Sequence, residues 1–287
     1  MPMGRKQKET VELRFYEIPQ GEPVLALLGE EWNRVYGHDN FYLHFHNLME
    51  IGICRKGEGE LIINEYTYTY RTNSVTLIPP NIPHTTISNG MTRNSWEFLY
   101  VDVNHVIEEL YGDRIAQKNE AIELVRRSAH LLHGSEYPEI AEIVNAIIRE
   151  EKKQSPYYRQ VITSYLHVLV YEMFRLNEVQ TQTRLEAAGS GTMRQIADAL
   201  TFVNDHYQEE VKVCTLAQVC GMSETSFRKV FEEYVHMLPM DYVNLVRVQY
   251  ACEQMKHGND SMDEVARKAG FSTTSTFNRN FKKFFNT

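Results

Sequence analysis

Histidine and glutamate side chains in the first third of the chain have the spacing of a ligand-binding group. His44, His46 and Glu50 form an H-x-H-x-x-x-E pattern, and His84 follows at the end of the run PPNIPH. Because side chains two apart on a strand point to one face, His44 and His46 are predicted to share a face. Imidazole and carboxylate groups together suit zinc, iron, manganese or nickel, and they equally hydrogen-bond a polar ligand. The sequence therefore predicts either a metal site or a polar pocket.

A second group of side chains, near the end of the chain, has the chemistry that reads DNA. Arginine and lysine pair with guanine, asparagine pairs with adenine, and threonine contacts several base edges or the thymine methyl group. Lysines that follow such residues are well placed for phosphates. The predicted DNA-binding residues are Thr225, Arg228, Lys229, Thr274, Ser275, Asn278, Arg279, Lys282 and Lys283.

Short strands are predicted around the histidines, because residues 13–102 consist of brief apolar or alternating runs broken by turn residues. Closely spaced runs of this kind indicate a β-sandwich or barrel. The predicted strands are Leu13 to Ile18, Glu50 to Cys54, Glu60 to Ile63, Tyr66 to Tyr70, Val75 to Ile78 and Trp96 to Val101.

Two amphipathic helices are predicted after these strands, where the spacing of apolar residues changes to the helical period. One apolar stripe runs from Ile140 to Ile148 and the other from Tyr158 to Met173. Such faces either close the core of the sheet domain or pair with a second subunit, and the spacing leaves both interpretations open. The polar segment at residues 179–192 ends in Gly-Ser-Gly and is predicted to be a linker.

An internal repeat organises residues 193–287. In each copy, a small alanine and a glycine four residues later suit a tight turn between two helices. Phenylalanines four residues apart then lie on one face, which leaves the DNA-reading residues on the other. The repeat predicts two helix-turn-helix units. Ala217, Gly221, Ser223, Phe227 and Phe231 recur in kind as Ala266, Gly270, Ser272, Phe277 and Phe281.

Capping signals mark where these helices should begin. A serine or threonine three residues before a glutamate or glutamine forms a capping box, and a single serine hydroxyl also caps a helix. The predicted boxes are Thr215 with Gln218 and Ser261 with Glu264, and the predicted single caps are Ser223 and Ser272.

Between the two units, Pro239 to Lys256 is predicted to form one continuous helix, with the proline in its first turn. A rigid helix here would hold both reading helices on one face of DNA, roughly 34 Å apart. Its predicted apolar side carries Tyr242, Leu245, Val246 and Met255.

The charge of the chain is distributed unevenly. The formal net charge is -8, whereas nonspecific DNA affinity comes from lysine and arginine neutralising phosphates. Residues 193–241 hold 4 basic and 8 acidic residues, and residues 242–287 hold 7 basic and 4 acidic residues. We therefore expect the second helix-turn-helix unit to hold DNA more firmly than the first.

Cysteine spacing and hydropathy indicate a reducing compartment. The four cysteines show no C-x-x-C pattern, which argues against a zinc finger or a disulfide framework. The apolar runs are too short to cross a bilayer or to form the core of a signal peptide. We expect a cytoplasmic protein with no membrane partner.

Residues 193–287 resemble the double helix-turn-helix domain of the AraC/XylS family of bacterial transcription regulators. Several features match together: the opening helix IADALTFVNDHY, the alanine-glycine turns, the middle helix with Arg247, and the run GFSTTSTFNRNFKKFF. Where the family usually has basic residues after the first reading helix, this chain has Glu232 and Glu233. These acids are expected to weaken the first unit's hold on phosphate.

The N-terminal segment resembles the family's sensor domain, especially in EIGICRKGEGELIINEYTY and VTLIPPNIPH, and its histidines resemble the metal-binding motif of cupins. The resemblance implies an α+β multidomain chain. A cupin-like β-barrel is expected at 11–103, a helical dimerisation or packing segment at 104–178, the linker at 179–192, and an all-α DNA-binding domain at 193–287. The expected effector-binding residues are Tyr42, His44, His46, Glu50, Arg71, His84 and Trp96, of which Trp96 suits a core position better.

The implied function is sequence-specific regulation of transcription by a small polar effector, such as a sugar, bound in the barrel. The expected partners are double-stranded promoter DNA, the effector, RNA polymerase and a second copy of the chain, and neither catalysis nor a cofactor is expected. The alternative is a metal-dependent cupin enzyme with a helical interaction module. In that alternative, His44, His46, Glu50 and His84 bind a divalent metal.

Overall fold

The computed structural model describes residues 11–38, 43–63, 66–126, 128–184, 192–235, 237–257 and 260–285. Contacts between Cα atoms divide the chain into a sheet unit of residues 14–189 and a helical unit that contains residues 190–287. None of the described helices is long and apolar enough to cross a membrane.

Two β-sheets form the first part of the described chain. The five-stranded sheet has the order β1-β4-β9-β6-β7, and the six-stranded sheet has the order β11-β8-β5-β10-β2, with β3 also paired to β10. The strands are β1 (Val11–Arg14), β2 (Leu25–Leu27), β3 (Asn33–Arg34), β4 (Leu43–His46), β5 (Met49–Lys56), β6 (Glu58–Ile63), β7 (Tyr66–Arg71), β8 (Ser74–Ile78), β9 (His84–Ser88), β10 (Asn94–Val101) and β11 (His130–His133).

The six-stranded sheet is buried on both faces. On β10, Trp96 and Phe98 point towards the five-stranded sheet, where they pack in one cluster with Leu61 and Tyr70. Because alternate side chains point to opposite faces, the intervening Leu99 belongs instead to a second cluster shared with the helices. Burial on both faces explains why β5, β8 and β10 read as nearly continuous apolar runs.

Four helices follow the sheets: α1 (Val103–Tyr111), α2 (Ile115–Arg126), α3 (Pro138–Lys153) and α4 (Tyr158–Arg184). Both predicted helical stripes exist, and both lie in the core. Val144 and Ile147 of α3 and Ile162 and Leu166 of α4 are buried in the same cluster as Ile51 of β5. The stripe on α4 therefore closes the core of its own unit.

Four features differ from the predictions for the strands and the helical segment. The first predicted strand, Leu13 to Ile18, was wrong beyond Arg14, because β1 ends there. Strand β11 lies inside the segment expected to be helical and pairs with β8; its four residues are too few to show a period. Helices α1 and α2 lie in the segment expected to be helical, but neither was predicted individually, although Asp102 caps α1 by accepting from the Asn104 and His105 amides at 3.1 and 3.2 Å. The linker prediction at 179–192 was wrong for residues 179–184, because α4 continues to Arg184 and no glycine or proline precedes Gly189 in that segment.

The helical unit contains α5 (Thr192–His206), α6 (Val213–Val219), α7 (Glu224–Val235), α8 (Pro239–His257), α9 (Met262–Lys268) and α10 (Thr274–Phe285). Helices α6 and α7 form the first predicted helix-turn-helix unit, and α9 and α10 form the second. The predicted phenylalanine faces are confirmed, since Phe227, Phe231 and Phe277 are buried. Phe281 is partly buried and packs against the cluster that contains Phe277. The continuous helix predicted between the units is α8.

Two of the predicted caps are confirmed. Ser261 and Glu264 form a reciprocal capping box at α9, with the Glu264 amide donating to Ser261 Oγ at 3.4 Å and the Ser261 amide donating to Glu264 Oε2 at 2.9 Å. The Ser223 hydroxyl accepts from the Ser226 amide at 3.3 Å at the start of α7. These bonds satisfy amides that have no partner within their own helix.

The other two predicted caps were wrong. Helix α6 begins at Val213, a buried side chain, so Thr215 lies within the helix and does not precede it. At α10 the hydroxyl of Thr273, not that of Ser272, accepts from the Thr276 amide at 3.1 Å. One more residue lies between Gly270 and Phe277 than between Gly221 and Phe227, and this insertion moves the cap by one position.

Replacing the two turn glycines by alanine should lower the stability of the protein by different amounts. Both have left-handed φ values, 62° at Gly221 and 86° at Gly270. A Cβ added at Gly221 would meet nothing within 4 Å, whereas one added at Gly270 would lie 2.4 Å from the Tyr207 carbonyl oxygen. Gly221→Ala should therefore lower the free energy of unfolding by about 1–2 kcal/mol for the left-handed conformation alone. Gly270→Ala should lower it by about 1–3 kcal/mol more. Denaturant unfolding of both full-length variants measures the difference, and equal losses would contradict the close approach at Gly270.

Candidate functional site

The two sheets bring together the four side chains that the sequence singled out. His44 and His46 lie on β4, Glu50 on β5 and His84 on β9, and their potential ligand atoms all lie within 4.8 Å of one another. His44 and His84 are direct neighbours in the β4–β9 register. The relative exposures of the four residues, in chain order, are 9%, 0%, 4% and 1%. This His-Glu cluster is therefore a buried polar group between the sheets.

Backbone carbonyls fix the orientation of two of the imidazole rings. His46 Nδ1 donates to the Leu48 carbonyl at 2.7 Å, and His84 Nδ1 donates to the Ile82 carbonyl at 2.8 Å. A neutral imidazole has one N–H, so these bonds leave Nε2 of each ring as a lone-pair donor. Burial lowers the pKa of His46 and holds the pKa of His44 well below its ordinary value, which favours their neutral forms.

The two Nε2 atoms converge on the Glu50 carboxylate. Glu50 Oε2 lies 3.3 Å from His46 Nε2 and 3.4 Å from His84 Nε2. Neither Nε2 atom has a hydrogen-bond partner in the part of the chain that the structure describes. Lone pairs that face a carboxylate form a site for a cation or for a ligand rich in hydrogen-bond donors.

Tyr100, which was not among the predicted effector-binding residues, extends this cluster. Its hydroxyl donates to Glu50 Oε2 at 3.0 Å, and Tyr16 stacks on its ring with centroids 4.0 Å apart. Tyr100 is opposite Glu50 in the β10–β5 register. The strand alternation that places Trp96 and Phe98 on the inner face also places Tyr100 there, so this signal was present in the sequence.

Two other predicted effector residues, Arg71 and Trp96, do not join the cluster. Arg71, on the edge strand β7, is exposed and forms an ion pair with Glu136 at 3.8 Å. Trp96 is fully buried and contacts the rings of Tyr70 and Phe98, at centroid distances of 4.9 and 5.7 Å. It is a core residue. Tyr42 lies outside the described residues.

The predicted DNA-reading residues lie on α7 and α10, opposite the buried phenylalanine faces. Eight of them are exposed, and Thr274 is half-buried, with its hydroxyl donating to the Asp263 carboxylate. The eight exposed residues are Thr225, Arg228, Lys229, Ser275, Asn278, Arg279, Lys282 and Lys283.

Acidic neighbours reduce the positive charge of this surface unevenly. Arg228 pairs with Glu224 at 3.8 Å, and Glu232 and Glu233 are exposed later on the same helix. On α10, Lys283 pairs with Asp241 of α8 at 2.6 Å. The second reading helix keeps the denser positive surface, as the charge counts predicted.

Two family models match the two parts of the chain. The model described as "AraC-like ligand binding domain" matches residues 33–169, and the model described as "Helix-turn-helix domain" matches residues 216–287. The matches coincide with the sheet unit that holds the His-Glu cluster and with the exposed reading helices. Fold and sites together define a transcription regulator with a ligand-binding domain and a DNA-binding helix-turn-helix domain.

The chain belongs to the AraC family of transcription regulators. It is 23% identical over 252 residues to the HTH-type transcriptional activator RhaS of Pectobacterium carotovorum, covering 84% of each chain. It is 21% identical over 194 residues to the lactose operon transcription activator of Staphylococcus xylosus, covering 67% of this chain and 65% of that one. Among solved structures, apo ToxT from Vibrio cholerae is similar with a TM-score of 0.43 and 17% identity, covering 93% of this chain and 95% of that one.

The exposed acids on α7 predict a gain of DNA affinity by charge reversal. Glu232→Lys should tighten binding at physiological salt and steepen the dependence of affinity on salt by about one phosphate contact. The probe is a DNA duplex selected with the unmodified chain from a random-sequence pool, hereafter the selected duplex. Glu142→Lys makes the same charge change on an exposed residue of α3 and serves as the control. Equal affinities and salt slopes for both variants would show that Glu232 points away from phosphate.

Proposed function

We propose that α7 and α10 enter successive major grooves of promoter DNA and read base edges there. The observation that carries the proposal is the repeated design of the two helices: each buries phenylalanines on one face and exposes arginine, lysine, asparagine, serine or threonine on the other. Base edges in the major groove are recognised by those side chains. Helix α8 joins the two units, so both would lie on one face of the duplex.

Loss of a base-reading arginine tests this assignment. Arg279→Ala and Arg228→Ala should each weaken binding to the selected duplex by about 1–3 kcal/mol, and the loss should be smaller on unrelated DNA. Arg149→Ala, an exposed arginine of α3, is the matched control. A gel-shift titration gives the three affinities. A variant that binds the selected duplex as tightly as Arg149→Ala removes that residue from the reading surface.

The proposed regulatory input is a small polar effector bound at the His-Glu cluster, with Tyr100 as an additional contact. Three imidazoles, a carboxylate and a phenol offer the donors and acceptors that a sugar hydroxyl needs. The relative from Staphylococcus xylosus is named for the lactose operon, which supports a sugar as the effector class. The effector would change promoter occupancy by binding the two states of the protein with different affinity.

Further partners are also proposed from the family and from one surface. The relatives are named as activators, so we propose that this chain activates transcription in the cytoplasm through contact with RNA polymerase. A second copy of the chain is the proposed partner of α4, which exposes Val168 and Tyr171 on the side opposite its buried stripe. Exposed apolar neighbours of this kind mark association surfaces.

A divalent metal at the His-Glu cluster is the second candidate, favoured by the ring orientations. Histidines that bind a metal commonly donate their other N–H to a backbone carbonyl, and His46 and His84 both do so. Their distances of 3.3 and 3.4 Å to Glu50 match the roughly 3.4 Å edge of a tetrahedron with zinc–ligand bonds of about 2.1 Å. The residues present therefore fit the ion. A bound metal would neutralise Glu50 and polarise an effector oxygen. We propose regulation as its purpose, because the relatives are transcription regulators.

Metal loading of the purified full chain tests this candidate. After dialysis with zinc, manganese, iron(II) or nickel, the unmodified chain should retain about one ion and unfold at higher temperature, since an ion bound to the folded state stabilises it. His46→Ala should lose both effects. His133→Ala, on β11 where the ring contacts Ser74, should keep both. If no metal is retained, or if both variants retain it equally, the cluster is not a metal site. An increase in unfolding temperature with a sugar, measured without metal, would then support a polar effector pocket.

A further inference from the structure

Arg247, in the middle of α8, links this helix to the end of α5. Its Nε donates to the Tyr207 carbonyl and its Nη2 donates to the Glu209 carbonyl, both at 2.6 Å. Tyr207 directly follows α5, which ends at His206. The last carbonyls of a helix have no partner within it, and a cation there also interacts favourably with the helix dipole. The forked guanidinium therefore ties the carboxyl end of α5 to α8.

The same side chain contacts the turn of the second helix-turn-helix unit. The guanidinium carbon lies 5.9 Å from the ring centroid of Phe271, which in turn packs edge-on against Phe277 of α10 at 5.6 Å. The neighbouring Gly270 approaches so closely that a Cβ there would lie 2.4 Å from the Tyr207 oxygen and 3.0 Å from Arg247 Nε. Arg247 is thus the point at which α5, α8 and the α9–α10 turn meet.

The Arg247 side chain is partly removed from water, so its charge needs hydrogen-bond partners within the protein. Arg247 is half-buried, and desolvation lowers its pKa. A buried cation must be compensated by hydrogen bonds, and its Nε and Nη2 bonds go to the two carbonyls. The rings of Tyr207, at the end of α5, and Tyr250, on α8, stack on each other with centroids 4.2 Å apart and planes within 4°. This joint fixes the angle between the α5 end and α8.

We propose that Arg247 is a positioning residue that sets the separation and orientation of the two reading helices, and so determines which half-site spacing the protein accepts. The inference rests on the proposed function of α7 and α10. Two reading helices on one rigid body bind DNA bivalently, and the gain in affinity is lost when the geometry prevents both from engaging together. Arg247 would act on this gain without touching DNA.

Arg247→Lys is the decisive variant, because lysine keeps the positive charge but lacks the planar fork that reaches both carbonyls. On the selected duplex it should bind about tenfold more weakly than the unmodified chain. On a duplex with one half-site scrambled, the two proteins should bind equally. A pool re-selected with the variant should show a broader distribution of half-site spacings. Arg149→Lys is the matched control.

Two outcomes for the Arg247 variants, and one for the unmodified chain, would overturn the inference. Wild-type affinity and an unchanged spacing distribution for Arg247→Lys would exclude the positioning role. If Arg247→Met loses binding and Arg247→Lys binds as tightly as the unmodified chain, Arg247 makes a simple charge contact with phosphate. If circular dichroism shows that Arg247→Lys does not fold, Phe271→Leu takes its place in the same assays. This variant removes the aromatic ring next to the guanidinium but keeps both carbonyl hydrogen bonds. If the unmodified chain selects single half-sites only, two-helix reading fails and the Arg247 inference fails with it.

Discussion

Each reading helix is fixed by the phenylalanine side chains on its inner face. Phe227 and Phe231 on α7, and Phe277 on α10, are removed from water almost completely, which stabilises the folded state by about 1.5–3 kcal/mol for each ring. Because the period of a helix is fixed, burying these rings decides which residues face outward. The exposed face that we propose reads DNA, and the charge of that face, depend on this burial.

In the sheet unit, the two-residue period of the strands likewise decides which side chains face the interior. Alternation along β4, β5 and β10 sends His46, Glu50 and Tyr100 into the space between the sheets, while Ile51 and Leu99 of the same strands pack against the helices. Interior polar groups are costly unless they are paired. Two histidine N–H groups are satisfied by backbone carbonyls, and the atoms left over converge on one carboxylate. The unpaired polar atoms are thereby gathered at one point, where a bound ligand would offset the free-energy cost of burying them.

The sequence revealed those features that depend on local periodicity and not those that depend on pairing between distant segments. The phenylalanine faces, the glycine turns and the shared face of His44 and His46 follow from spacing alone, and the structure confirms them. Strands β2, β9 and β11 are three to five residues long and gain their stability from neighbours far away in the chain, so no window of sequence shows them. Arg71 was assigned to the pocket by residue type, but its position on the edge strand β7 depends on strand order. The joint at Arg247 likewise depends on backbone carbonyls forty and thirty-eight residues away.

The central claim is that one rigid helical unit presents two reading helices to one face of DNA. Hydroxyl-radical footprinting of the unmodified chain on the selected duplex tests this claim most directly. Two protected segments on the same face, with centres about one helical turn or roughly 10 base pairs apart, are the expected result. A single protected segment, or two segments on opposite faces, would contradict the account.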